Sequence, residues 1–405
     1  MRVVVRKGMH LLSVCAVTRP DGARPDARCS GFLASRPCRP IPVVSSTVRP
    51  QAPGHEPTPG RTAAAGLYVR QVPTGDGHPD PARVPAGGVM RYDLSDRLVI
   101  GIASSALFDL ADCDAVFREQ GEDAYRAHQE AHADDVLAKG VAFPFVRRLL
   151  SLNDLADDPG DPLVEVIILS RNDPDSGLRV MRSIAAHGLP ISRAVFRQGR
   201  SAHRFMRALN MSLFLSADGS DVRTAVADGL PAGHVLQTAR VDDEDDRELR
   251  IAFDFDGVLA SDSSERIFQD VGIDGFRAHE VLNATTPHDP GPLSEFLAGI
   301  NRIQRREEAR RHHEPDYQQR LRVSLVTARD APAHERAVRS LKRWGLRVND
   351  AFFLGGIDKA AVMSVLDPHI FFDDQVSHLN GTAPATPSVH VPFGVVNAPP
   401  PAADR

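Results

Sequence analysis

Cysteine is scarce, with 4 residues in 405, and a chain this long cannot be stapled by so few, so a disulfide scaffold is excluded. Long apolar runs are missing as well. None approaches the roughly 20 residues that a membrane-spanning helix needs, so no membrane association is expected. Zinc-type spacing is absent around His312 and His313, which have no Cys or His partner at the required interval. What remains, 42% apolar and 25% charged residues, is the composition of an ordinary soluble globular chain.

That average conceals a division near residue 90. Residues 1–89 hold 13 of the 31 prolines and three of the four cysteines (Cys15, Cys29 and Cys38), with 12 basic and 5 acidic residues. The remaining residues carry 36 basic and 48 acidic side chains. The leader has little apolar periodicity and too many prolines for ladders or helices, so residues 1–90 are expected to be a disordered Pro/Arg-rich leader. Arg2, Arg6 and Lys7 precede a short apolar stretch, Met9 to Val17, but no small-x-small cleavage site follows. Its basic residues are scattered rather than clustered, which disfavours a nucleic-acid-binding tail. Met90 stands directly before the first convincing strand, so a chain starting there is expected to be soluble, stable and active.

The body alternates short apolar runs with amphipathic stretches, the α/β pattern of a buried parallel sheet. Strands are predicted at Leu98–Ile102, Val164–Leu169, Leu249–Phe255, Val323–Val326 and His369–Phe372. Helices are predicted over Arg179–His187 and Ala333–Trp344. At about 316 residues, the body is long enough for two cores.

The body also matches itself. Shifted by 151, residues 116–129 (VFREQGEDAYRAHQ) fall on 267–280 (IFQDVGIDGFRAHE). Shifted by 157, residues 181–189 (MRSIAAHGL) fall on 338–346 (VRSLKRWGL), and Ala194, Phe196 and Gly199 then fall on Ala351, Phe353 and Gly356. A duplicated α/β unit is the reading. Its first copy spans 91–245 and its second 246–385, with a flexible tail at 386–405.

The copies differ where chemistry would sit. The second has a strand ending in Asp254-Phe255-Asp256-Gly257, which puts two carboxylates at the carboxyl edge of a parallel sheet, where open α/β sheets bind ligands. The first has Ala103 and Ser105 there. It is expected to lack hydrolytic activity, complete the core and supply loops to the neighbouring site. Further along the second copy, Thr327 ends a strand, Lys359 opens a helical stretch, and Asp373-Asp374 close a strand. Taken singly, Asp373-Asp374 could cap a helix and Lys359 could be a solvated surface charge.

As an ordered set, these residues resemble the four motifs of the haloacid dehalogenase (HAD-type) phosphohydrolase superfamily. The resemblance implies a HAD-like Rossmannoid sheet with one degenerate copy. It also implies a catalytic set of Asp254, Asp256, Thr327 and Lys359, and a Mg²⁺ site drawn from Asp254, Asp256, Asp373 and Asp374. In this scheme one carboxylate attacks phosphorus, and a second protonates the leaving oxygen and later activates water. Thr327 and Lys359 would stabilise the phosphoryl charge.

The segments FPFVRRLLSLND, FLSADGSDV, IAFDFDGVLASDSSE, LVTAR, RSLKRWGLRV, AFFLGG and HIFFDDQ resemble, more narrowly, the cytosolic 5′-nucleotidase I family. That likeness covers about residues 97–378. It implies a cytoplasmic, Mg²⁺-dependent hydrolase of AMP-type nucleoside 5′-monophosphates, with Asp254 as nucleophile and Asp256 as acid/base. A reducing compartment also suits the lone body cysteine, Cys113. RQGRS (197–201) departs from the Gly-Gly-Lys-type loop expected there.

The segment at about 262–321 is placed to form a small helical cap. Phe143 and Phe145 are read as core residues in preference to purine-stacking ones. The run 302–313 is read as a solvated helix face, so no nucleic acid is expected as a partner. The oligomeric state stays open. Two alternatives remain: a HAD phosphatase for another small phosphate ester, and a non-catalytic nucleotide-binding module.

Overall fold

The computed structural model describes residues 92–398; the leader expectations and the Met90 start lie outside these residues. The first half contains β1 (Leu98–Ile102), α1 (Ser104–Leu107), α2 (Ala111–Ala131), α3 (Phe143–Ser151), β2 (Val164–Ser170), α4 (Pro174–Ala186), β3 (Arg193–Phe196), β4 (Met211–Ser216), α5 (Gly219–Ala227) and β5 (Ala232–Val235). The second half follows with β6 (Leu249–Phe253), α6 (Ser263–Leu282), α7 (Ser294–His313), β7 (Leu321–Thr327), α8 (His334–Trp344), β8 (Asp350–Phe353), α9 (Lys359–Leu366), β9 (Ile370–Asp373), α10 (Val376–Thr382) and β10 (Ser388–His390).

All ten strands form one sheet in the order β3-β2-β1-β4-β5-β10-β9-β6-β7-β8. Each half therefore runs through the same arrangement, read outward from the seam in opposite directions. Every pairing is parallel except β5 with β10, where Val235 faces Val389. An antiparallel seam turns the carboxyl ends of the two halves to opposite edges of the sheet. The strand ends of the first half consequently point away from Asp254, and the loops they carry do not reach it, contrary to expectation.

The central strands are apolar on both faces because helices cover both. Leu98, Ile100 and Ile102 of β1 pack on one side, and Val99 on the other, following the two-residue alternation of a strand. On the first side, α3, α4, α7 and α8 bury a single cluster shared by both halves, including Phe145, Phe253, Phe296 and Phe372. The body thus has one continuous main core spanning the two halves. On the other side, α5 covers the first half, while α9 and α10 cover the second with Met363 and Leu379.

The strands expected from sequence are present. The ones not foreseen are mostly short: β3 and β8 have four residues each, lie outermost and are only half-buried. Residues 386–398, expected as the start of a flexible tail, instead supply β10, because Val389 and Val391 are buried in the main core. Phe143 and Phe145 are core residues, at 2% and 0% exposure. In α7, Arg302, Arg305, Arg306 and Arg311 face solvent, as read from sequence, while Glu307 turns inward to accept from the Arg320 and Leu321 amides.

Both α2 and α6 are broken by one glycine. Gly121 (φ 87°, ψ −175°) and Gly272 (φ 69°, ψ −174°) adopt a conformation that only glycine reaches without strain, so each helix bends at the same place. Within the proposed cap segment, α7 belongs to the core through Phe296, Leu297, Ile300 and Ile303. By contrast, α6 buries only Ser264, Phe276 and Glu280.

Candidate active site

The chain leaves β6 at Phe253, and Asp254 follows with its amide donating to the Phe372 carbonyl of β9 (2.8 Å). That bond continues the sheet one residue further and fixes the carboxylate at its edge, 3% exposed. One oxygen, Oδ1, accepts from the Phe255 amide at 2.7 Å. The other, Oδ2, pairs with Lys359 Nζ at 2.9 Å.

Lys359 is the first residue of α9, whose start is capped by the Asp358 side chain accepting from the Ala360 amide. Its ammonium is buried (3% exposed) and also reaches Asp373 Oδ2 at 2.7 Å. It is therefore no solvated surface charge. Burial lowers the lysine's proton affinity, but Asp254 and Asp373 outweigh that and hold it charged.

Asp373 is fully engaged. Besides Lys359 it accepts from the Gln375 amide (2.8 Å) and lies 3.2 Å from His378 Nδ1. Burial raises its pKa, but Lys359 and His378 bring it below the ordinary aspartate value. Asp374 is the opposite case: Oδ1 is buried without a partner among the described residues. Burial, joined by the charges of Asp254 and Asp373, pushes its pKa up to about 9. Burial likewise raises Asp254 to about 6, against the pull of Lys359.

Thr327 ends β7, 1% exposed, with Oγ1 accepting from the Arg329 amide at 3.3 Å. The structure thus brings Asp254, Lys359 and Asp373 into direct contact, with Asp374 close enough to feel their charges. Asp256 turns away. Its carboxylate is clasped by Arg329, with Nε–Oδ2 and Nη2–Oδ1 both 2.7 Å.

Sequence reasoning missed the network behind that clasp. Arg329 also reaches Glu280 on α6, the Ser264 hydroxyl and His288, and its guanidinium lies 5.1 Å from the Phe255 ring centroid and 5.4 Å from that of Phe276. Glu280, fully buried as a side chain, is shared with Arg336 at 2.7 Å. Burial alone would raise the pKa of Glu280, but His288 and Arg329 drive it far below the usual range.

A signal for this network was present in the repeat. Each residue corresponds by its distance from a strand end or from the helix-breaking glycine. Asp256 corresponds to Ser105, Arg329 to Asn172 and Glu280 to Gln129, while Arg336 corresponds to Arg179. In the first half, Arg179 contacts Gln129 at 3.1 Å with no carboxylate between them. This half-sheet and its α2 fold without the buried ion pairs. The same arrangement is therefore reached with and without these charges.

The donor set suits a hard divalent cation, which takes oxygen ligands. A buried carboxylate oxygen without a partner, Asp374 Oδ1, lies beside Asp254 and Asp373. Gly257, with φ 71°, leaves the room: a Cβ there would collide with the Asp374 carboxylate. Asp254, Asp373 and His378 also bring three ligand atoms within 4.8 Å of one another, but Asp373 and His378 are already each other's partners.

A mostly parallel α/β sheet with a buried carboxylate–lysine centre at the carboxyl edge defines an α/β protein whose candidate site lies where open sheets bind ligands. The 5′-nucleotidase family model matches residues 90–398, and the chain belongs to that family. Human cytosolic 5′-nucleotidase 1B is 32% identical over 291 residues, covering 71% of this chain and 47% of that protein. The chain spans about half the length of that curated relative. No solved structure matches it significantly. No helix among the described residues is long and apolar enough to cross a membrane.

Proposed function

We propose that the chain hydrolyses nucleoside 5′-monophosphates of the AMP type to nucleoside and phosphate, in the cytoplasm and with Mg²⁺. The observation that carries this is Lys359 held between Asp254 and Asp373 at the strand ends, inside the segment matched by the family. The body is a HAD-like sheet, built by duplication of one α/β unit with the first copy degenerate. The mirrored strand orders and the paired glycine breaks support that reading.

Asp254 is the nucleophile. Above about pH 6 it is ionised; one carboxylate oxygen attacks phosphorus, and the bond from phosphorus to the nucleoside 5′-oxygen breaks. Asp256 supplies the proton to that leaving oxygen. Water then attacks the aspartyl-phosphate, Asp256 takes its proton, and Asp254 is released with inorganic phosphate. Lys359 balances charge on nucleophile and phosphoryl, and Thr327 donates a hydrogen bond to a phosphoryl oxygen.

Arg329 occupies both carboxylate oxygens of Asp256, so the side chain must be released before it can reach the leaving oxygen. The clasp must open when substrate enters, and α6 is tied to it through Glu280 and Ser264. We assign the cap role to α6 rather than to α7.

Asp254 and Asp374 would hold the Mg²⁺, which supplies Lewis-acid stabilisation of phosphoryl charge when bound. Asp374 is chosen over Asp373 because it has the open oxygen. The Asp256 side chain, drawn off by Arg329, is not a ligand in this arrangement.

A phosphate-release screen across nucleoside monophosphates and other small phosphate esters, with and without Mg²⁺, tests the reading. Preference for sugar phosphates would move it to another phosphatase. No release from any ester would leave a nucleotide-binding module.

A further inference from the structure

A large opening lies away from the acid centre. A cavity of about 1310 Å³ lies at the carboxyl edge of the first half, between the ends of β1, β2 and β4 and the broken helix α2. It has room for a small molecule of drug size. The floor keeps the Arg126–Asp173 pair, matched by Arg277–Asp330 in the second half, but lacks four groups that the second half presents at the same strand ends. Ser105 stands where the other half has Asp256, Ser170 where it has Thr327, Asn172 where it has Arg329, and Ser216 where it has Asp373.

Two of these neutral groups, Ser170 and Asn172, join Ser104 and Tyr125 in a hydrogen-bonded strip. Ser104 and Ser170 hydroxyls are 2.9 Å apart, Ser170 donates to Asn172 Oδ1 at 2.8 Å, and the Asn172 amide reaches the Tyr125 hydroxyl at 3.4 Å. Tyr125 packs edge-on against Phe117, with ring centroids 5.8 Å apart. Phe117 is 51% exposed and lines the cavity, leaving part of its ring free. The second half repeats the aromatic pair with Phe268 and Phe276, at 6.3 Å. Both halves thus keep the aromatic pair and differ in charge.

The cavity is also unsuited to phosphate. Its lining has eight carboxylates and five basic side chains. Four of those five, Arg126, Lys139, Arg171 and Arg240, are already paired with carboxylates.

From a phosphate-rejecting cavity with a hydroxyl and amide floor and a stacking aromatic, we infer that the first half binds an uncharged nucleoside. On the reading of the second half as a nucleotidase, this is the dephosphorylated product. Asn172 and the serines hydrogen-bond ribose or base edges, and Phe117 stacks on the base.

Equilibrium dialysis of labelled adenosine against the full chain tests this. Saturable binding is expected, weakened about tenfold in Phe117→Ala, as loss of one base–aromatic stack predicts. Phe117→Trp retains binding, and Phe268→Ala leaves it unchanged. In Asp254→Asn, which does not turn AMP over, AMP does not displace the adenosine. Phe117→Ala still hydrolyses AMP at the wild-type rate, which also shows that it is folded. Absence of saturable binding, loss of binding in Phe268→Ala instead, or displacement by AMP each overturns the inference. Failure of the wild-type chain to release phosphate from AMP would defeat the nucleotidase reading, while the dialysis would still report on the cavity.

Discussion

Arg329 clasps Asp256 through two nitrogen–oxygen contacts of 2.7 Å, and the same guanidinium reaches Glu280 on α6. One buried cation thereby joins the proposed acid/base to the proposed cap. Removing a single partner leaves uncompensated charge in the interior, so Arg329→Ala should lose about 3–5 kcal/mol of stability. The double variant Arg329→Asn/Glu280→Gln installs the neutral solution already used by Asn172 and Gln129. It should be more stable than Arg329→Ala in denaturant melts. A double variant as unstable as the single would mean that the first half is no guide to the second.

Asp254→Asn should reduce phosphate release to background with the fold intact. Asp256→Asn should lower kcat by about 10²–10⁴, the usual contribution of a positioned acid/base. Steady-state kinetics on both variants, with circular dichroism as the folding control, separate the two roles. Turnover near wild type in either would remove that residue from the mechanism.

Mg²⁺ binding should release protons. Without a cation Asp374 is protonated up to about pH 9, and a ligating carboxylate must lose that proton. Metal and proton compete, so affinity should rise with pH from 6 to 9. Calorimetry in buffers of different ionisation enthalpy reads the proton count directly. A binding enthalpy independent of buffer would count against Asp374 as ligand, and Asp374→Asn should abolish the pH dependence.

Gly257→Ala should damage the same site by geometry alone. Its φ of 71° strains any other residue, at a cost of about 1–2 kcal/mol. The new methyl group also displaces the Asp374 carboxylate. Mg²⁺ affinity should fall while the melting temperature drops by only a few degrees; unchanged affinity would place the cation elsewhere.

Glu280 should make the protein acid-sensitive. Its pKa is depressed on folding, so the stability it contributes is present above its unfolded value of about 4.5 and is lost as pH falls below it. Glu280→Gln should flatten stability against pH on the acid side. An unchanged acid limb would show that other carboxylates dominate there.

The strand ends that gather the site were legible because buried parallel strands write themselves as unbroken apolar runs. Asp254, Thr327, Lys359 and Asp373 all follow such a run or open the next helix. Edge strands β3 and β8 were not legible, since four half-buried residues carry too little pattern. Nor was the antiparallel seam, which depends on the three residues of β10 lying between prolines. The Arg329 network was hidden for another reason. Its members come from α6, α8 and the loops after β6 and β7, and only the repeat marked it, where Ser105, Gln129 and Asn172 stand against Asp256, Glu280 and Arg329.

The seam between β5 and β10 turns the strand ends of the two halves opposite ways, while the main core beneath them is shared. Gly299 of α7, in the second half, presses against Leu98 of β1 in the first, where even a methyl group would clash. Neither half can melt alone without stripping apolar surface from the other. A compound that binds the native state at the strand ends of either half therefore raises the unfolding temperature of the whole body by mass action. A chain divided between the halves would expose that shared core in both pieces.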